Sequence, residues 1–230
     1  MLIMAVLTLC AGMLVYFVMQ WQAEDFLRRG LALALQVRVD HLAETIENGI
    51  DKTATIATRP HLIDEMRRFD ANKSAPGARA AIVHVAETFL PHGYSAIAFY
   101  DRDGGEVTRL GNFSPNPEIS VTINVGALGS KQTSTRARLL RDKAMLLHVD
   151  ADMMDGGVLI GRVSTEVKLP GIDAMFTDAS DFDKSAELAL CAPLEQDMKC
   201  FQTTLTPQVF PRLSRLRSGP TLPMSHALPG

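Results

Sequence analysis

Residues 94–111 read YSAIAFYDRDGGEVTRLG, and this stretch decides the fold. Ala96, Ile97, Ala98, Phe99 and Tyr100 form a short apolar run that ends in aromatics. Asp101-Arg102-Asp103-Gly104-Gly105 follows with turn chemistry, because aspartates bond to nearby backbone and glycines accept positive φ. Val107 and Leu110 resume the apolar pattern. The spacing predicts a β-hairpin that opens a sheet, with helices before it and more strands after it.

Upstream, Met1 to Met19 carries no charge, and the first charged residue is Glu24. A helix of that length matches roughly 30 Å of hydrocarbon. Trp21 stands where an interfacial aromatic belongs. Residues 1–21 therefore read as a transmembrane anchor. A cleaved signal peptide and a buried core helix are the rivals, but neither a basic start nor a small-residue cleavage site is present. No basic residue precedes the run while Arg28 and Arg29 follow it, so the positive-inside rule favours a cytoplasmic continuation unless a basic leader precedes Met1.

Residues 22–93 read as a long helix to Thr58 and two shorter ones, His61 to Phe69 and Ala78 to Leu90, separated by Arg59-Pro60 and by the polar loop DANKSAPG. Leu35, Val39, Leu42, Ile46, Gly49, Thr53 and Ile56 follow four-three spacing along the long helix. Such a seam packs either on its own domain or on a second copy, and Gly49 and Thr53 would let two backbones approach.

Residues 94–177 read as the sheet. After the hairpin come a strand over Glu118 to Val125 and a polar connection over Gly126 to Thr135. A second hairpin turns at Arg141-Asp142-Lys143, and a long strand runs from Val158 to Val167. Met145, Leu147 and Val149 alternate with Ala144, Leu146 and His148. Pro170 to Thr177 is a short helix. From Asp178 to Gly230 the pattern restarts: a linker to Ser185, a strand from Glu187 to Cys191, an acidic turn, and then a proline- and arginine-rich stretch with no closing element. The whole is an α+β chain with an incomplete second module.

The formal charge of −3 and the lack of a broad basic tract exclude a nucleic-acid footprint. His41, His61, His84, His92, His148 and His226 are scattered without metal spacing, and the Asp101–Gly104 and Asp150–Gly156 turns lack calcium-loop spacing. Gly126 to Lys131 has the composition of a phosphate loop with the wrong spacing. No serine occupies a nucleophile elbow. These exclusions point away from an anchored hydrolase and imply no cofactor and no metal.

Three cysteines occur. Cys10 lies in the apolar run and packs there or faces lipid. Cys191 and Cys200 flank a short loop and are either a disulfide, as an oxidising compartment allows, or two buried thiols. Arg136 and Arg138 share one strand face. They form either a solvated surface or a pair of guanidiniums for an anionic ligand, with Tyr100 and His148 as neighbouring hydrogen-bond groups.

The order of these elements carries a resemblance. A membrane helix runs into a long helix and two shorter ones. The AIAFYDRDGGEV hairpin follows, and then ARLLRDKAMLLHVDADMMDGGVLIGRVSTEV with its glycine turn. Over roughly Gln22 to Val167 this resembles the Cache family of extracytoplasmic sensors, whose sheet is similar to a PAS domain. Ser185 to Leu190 and Leu222 to Leu228 resemble parts of the membrane-proximal module of a double Cache. The Trp–Tyr pair of the family's amino-acid-binding subgroup is absent, since the one tryptophan is Trp21.

The resemblance implies a sensor outside the cytoplasm, as in chemoreceptors, histidine kinases and diguanylate cyclases; the apolar run would hold it in the inner membrane, and the seam on the long helix would pair it with a second copy. It implies a small-molecule ligand on the distal sheet, under the connecting segment from Asn112 to Thr135. Arg136 and Arg138 would suit a small carboxylate there. The contrasting reading is an anchored interaction or assembly protein without a ligand.

Overall fold

The computed structural model describes residues 2–73, 76–125, 135–177, 189–194, 197–201 and 210–214. Two compact units divide the chain, Met1–Glu44 and Thr45–Gly230. The first consists of the leading part of helix α1, whose full span is Leu2–Ala57. Most of its described side chains are open to solvent, among them Tyr16, Phe17, Trp21, Phe26, Leu27 and Leu33. Among the described residues no helix is long and apolar enough to cross a membrane. Nothing is described of the side chains at 1–8 and 10, which belong to the uncharged run.

In the second unit, helix α1 ends at Ala57, and Pro60 starts α2, Pro60–Ala71. Proline suits that place because its missing N–H would have no helical partner in a first turn. Helix α3 is Pro76–Phe89, and one 3₁₀ turn, Leu90–His92, follows. Gly93 then adopts φ +93° and turns the chain into the sheet.

Six antiparallel strands form that sheet: β1 Tyr94–Asp101, β2 Glu106–Gly111, β3 Ile119–Ile123, β4 Thr135–Arg141, β5 Met145–Asp155 and β6 Val158–Lys168. Their spatial order is β2-β1-β6-β5-β4-β3. The last strand therefore lies beside the first in the middle, and β2 and β3 fall at the edges. Helix α4, Pro170–Thr177, is tied back through Asp173, whose carboxylate accepts the Met145 N–H at 3.1 Å and pairs with Arg141.

The opening hairpin turns as its chemistry requires. Asp101 accepts the backbone N–H of Asp103 at 3.1 Å and of Gly105 at 2.6 Å. Gly104 takes φ +84°. Lys73 donates to the outer oxygen of Asp101 at 2.8 Å, and this hydrogen bond, the largest cause, holds the Asp101 carboxyl below its ordinary range. At the far end of β2, Gly111 has φ +73°, and a Cβ there would lie 2.1 Å from the Ser95 carbonyl oxygen. Only glycine fits that approach.

Helices cover one face of the sheet. Ile56, Leu62, Met66, Ile82 and Ala86 pack against Ile97, Phe99, Val107, Ala151, Met153 and Val163 in one core. The period-2 alternation of strands sends the intervening residues to the other face. The seam on α1 splits accordingly. Leu35 and Val39 are exposed, whereas Ile46, Gly49, Thr53 and Ile56 are buried. A Cβ on Gly49 would lie 2.4 Å from Leu147 Cδ2, and the Thr53 hydroxyl meets that of Thr165 at 2.7 Å. The small residues of this half therefore admit the chain's own sheet rather than a second helix.

A second sheet contains β7 Cys191–Leu194, β8 Asp197–Cys200 and β9 Phe210–Ser214, in the order β7-β8-β9. The strand expected over Glu187 to Cys191 is displaced: Ala189 and Leu190 are not in a strand, and β7 begins at Cys191. Pro193 is in β7. An edge strand tolerates proline because one side of it needs no ladder donor. Cys191 and Cys200 are direct cross-strand partners with Cα atoms 4.1 Å apart, and a disulfide joins them. The Phe201 N–H donates to the Leu190 carbonyl at 2.9 Å beside this pair. The linker read up to Ser185, the connection over 126–134 and the segment Leu222 to Leu228 lie outside the described residues.

Candidate functional site

The helix-free face of the sheet carries a polar lattice set by strand register. One row runs Arg109, Ala98, Ser164, Asp150, Arg136 across β2, β1, β6, β5 and β4. The next contains Ala96, Glu166, His148 and Arg138. A third contains Tyr100, Arg162 and Asp152. Ala96 and Ala98 are fully buried, and their small side chains keep the middle of this face low.

A concavity of about 690 Å³ occupies the centre of this face. Its lining includes Tyr100, Arg109, Arg138, His148, Asp150, Arg162 and Ser164 from the strands, Asp101 to Gly104 from the β1–β2 turn, and Phe113, Ser114, Pro115 and Pro117 from the segment joining β2 to β3. That volume lies within the range of small-molecule sites, about 300–1,000 Å³. The joining segment acts as a strap. Ser114 donates its N–H to both oxygens of Glu166, at 3.2 and 3.1 Å, and Phe113 lies over the His148 ring at 5.6 Å between centroids.

The charges inside are matched. Arg162 Nε donates to Asp152 at 2.9 Å, and Arg138 lies 3.8 Å from Asp150. Arg109 pairs with Glu106 and donates to the Tyr100 hydroxyl at 3.3 Å. Asp150 accepts from the Ser164 hydroxyl and lies 3.3 Å from His148 Nε2. Burial pushes the Asp150 carboxyl up, but the hydrogen bonds from His148 and Ser164 and the charges of His148 and Arg138 outweigh it and hold it at about 2. His148 is subject to the opposite balance. Burial lowers its pKa, the contacts with Asp150 and Glu166 raise it, and the net position is above the ordinary value.

Of the residues singled out from sequence, Tyr100, Arg138 and His148 come together in the concavity. Arg136 shares their face but lies outside the lining; it is 60 % exposed and 3.7 Å from Asp152. Sequence reasoning missed Arg109, Asp150, Arg162, Ser164 and Glu166. Two-residue alternation from His148 gives Asp150, and the same parity on β6 gives Arg162, Ser164 and Glu166. Nothing in the sequence marks Phe113, which lies on a non-strand segment. Among the described residues no group of three or more His, Cys, Asp or Glu side chains could hold a metal ion.

No family model matches this chain, and no curated protein matches it either.

Proposed function

We propose that the chain is the extracytoplasmic sensing region of a membrane-bound signalling receptor of Cache type, binding a small carboxylate-bearing metabolite in the concavity on the helix-free face. The concavity carries this reading. It has the volume of a metabolite site, an aromatic wall at Phe113 and Tyr100, and four guanidiniums at Arg102, Arg109, Arg138 and Arg162. Arg138 is the guanidinium best able to change partners, since one 3.8 Å contact with Asp150 is its described ion pair. A bidentate carboxylate suits its planar fork. The strap over the site is a segment that ligand closure can tighten.

Three further features support the remainder of the reading. The uncharged run Met1 to Met19 with Trp21 beside it supports an inner-membrane anchor. The disulfide between Cys191 and Cys200 supports an oxidising, periplasmic compartment. The exposed Phe26, Leu27, Leu31, Leu35 and Val39 support pairing with a second copy through residues before Thr45. Binding would then act by favouring one conformational state of that pair over another.

Calorimetry of the detergent-solubilised chain against a panel of mono- and dicarboxylates, amines and neutral metabolites tests the ligand class. The expected result is saturable binding of a carboxylate. Binding of neutral compounds alone would overturn the carboxylate assignment. No binding across the panel, together with an unchanged strap on addition of every compound, would favour the ligand-free interaction protein.

A further inference from the structure

The strap is fastened to the sheet through a buried ionic group. Ser114 donates its N–H to both oxygens of Glu166, a residue 2 % exposed, and its hydroxyl donates to Asp142 at 2.8 Å. Phe113 is held between His148 below and the Arg109 guanidinium, which lies 5.3 Å from the Phe113 ring centroid. His148 stands between two carboxylates. Its Nε2 is 3.3 Å from Asp150 and its Nδ1 is 3.9 Å from Glu166.

A neutral imidazole has one N–H and one lone pair. Facing two carboxylates, it can offer a proton to one only by turning its lone pair toward the other. The imidazolium keeps an N–H for Asp150 and presents a positive charge to Glu166, whose oxygen lies 3.9 Å from Nδ1. We infer that His148 is a proton-operated latch: when protonated it holds Glu166 in place, and with it the Phe113–Ser114 strap across the concavity, and when neutral it releases that strap. The physiological meaning of the latch, a pH-tuned ligand site, rests on the sensor reading above; the latch itself does not.

The groups facing His148 come from every element packed on it. Asp150 on its own strand and Glu166 on β6 favour the charged ring, while Arg138 on β4 opposes it. Arg109 and Asp142 reach it only through the strap. The balance favours the imidazolium, in line with the raised pKa. A raised folded-state pKa means that the latch is complete below the ordinary histidine value, about 6.5, and is lost as pH rises through the folded value.

Hydrogen exchange of the full chain in detergent, read by mass spectrometry on peptides covering 112–117, tests the latch without any ligand. Rates are corrected for intrinsic exchange and compared from about pH 5 to about 9, the span in which imidazole titrates. Protection of the Ser114 amide should fall at least about tenfold across that range in the parent and stay flat in His148→Gln. Equal protection throughout in the parent, or the same fall in His148→Gln, would overturn the latch. Should His148→Gln not fold, the ring titration of His148 in the parent, followed by NMR, replaces it. Its midpoint must coincide with that of the protection change, and a mismatch would sink the proposal. Flat protection leaves the carboxylate site standing, and failure to bind any carboxylate leaves the latch standing.

Discussion

Thr53→Val and Thr165→Val test whether the second half of α1 belongs to its own sheet. Both threonines are fully buried, and their hydroxyls are 2.7 Å apart. Thr53 also donates to the Gly49 carbonyl at 3.1 Å. The proton between the two hydroxyls is then Thr165's. Thr53→Val keeps the shape but strands that buried donor, which should cost about 1–3 kcal/mol. Thr165→Val leaves Thr53 its bond to Gly49, so it should cost about 1 kcal/mol. The double variant strands neither threonine's donor, and its loss should fall short of the sum by about 1 kcal/mol. Urea unfolding followed by circular dichroism, at two protein concentrations, measures all four proteins. Additive losses together with stability that rises with concentration would refute the intrachain packing and return Gly49 and Thr53 to a helix pair.

Gly111→Ala should destabilise strongly, by about 2 kcal/mol or more, because a Cβ meets the Ser95 carbonyl at a positive φ; thermal unfolding reads it, and a neutral result would mean the β2 end is free to move. Asp150, held at about 2 from an ordinary 3.8, should contribute on the order of 2 kcal/mol above pH 3.8, and this is lost as pH falls through about 2. In Asp150→Asn that acid-side loss of stability should shrink accordingly in unfolding curves. Reducing the Cys191–Cys200 disulfide should loosen the β7–β8 hairpin by roughly 2–3 kcal/mol while sparing the six-stranded sheet. Limited proteolysis with and without reductant should show new cleavage near β7–β9 only.

The first hairpin was legible because its turn states its own chemistry. Asp101 has backbone donors two and four residues on, and Gly104 and Gly105 leave room for them. The alternation of Met145, Leu147 and Val149 likewise gave the orientation of β5, and with it the face of His148. The seam on α1 was ambiguous for a physical reason: four-three spacing marks one buried stripe and does not say what buries it. Arg162 and Glu166 escaped the sequence reading because their partners lie on other segments; Arg162 meets Asp152 on β5, and Glu166 meets Ser114 across 52 residues. Such a lattice exists only once β6 pairs with β1 and β5. Cys191 and Cys200 were readable as a candidate pair, but their direct opposition required Pro193 to lie in an edge strand.

Arg138→Ala and Arg136→Ala, compared in calorimetry with the best-binding carboxylate, test the central claim most directly. Arg138 lines the concavity and Arg136 lies outside it on the same strand, so the pair controls for general loss of positive charge. Removing Arg138 should cost roughly 1.5–3 kcal/mol, a weakening of about tenfold or more, while Arg136→Ala should bind as the parent does. Equal affinities in all three proteins, or a loss confined to Arg136→Ala, would contradict a carboxylate site in this concavity.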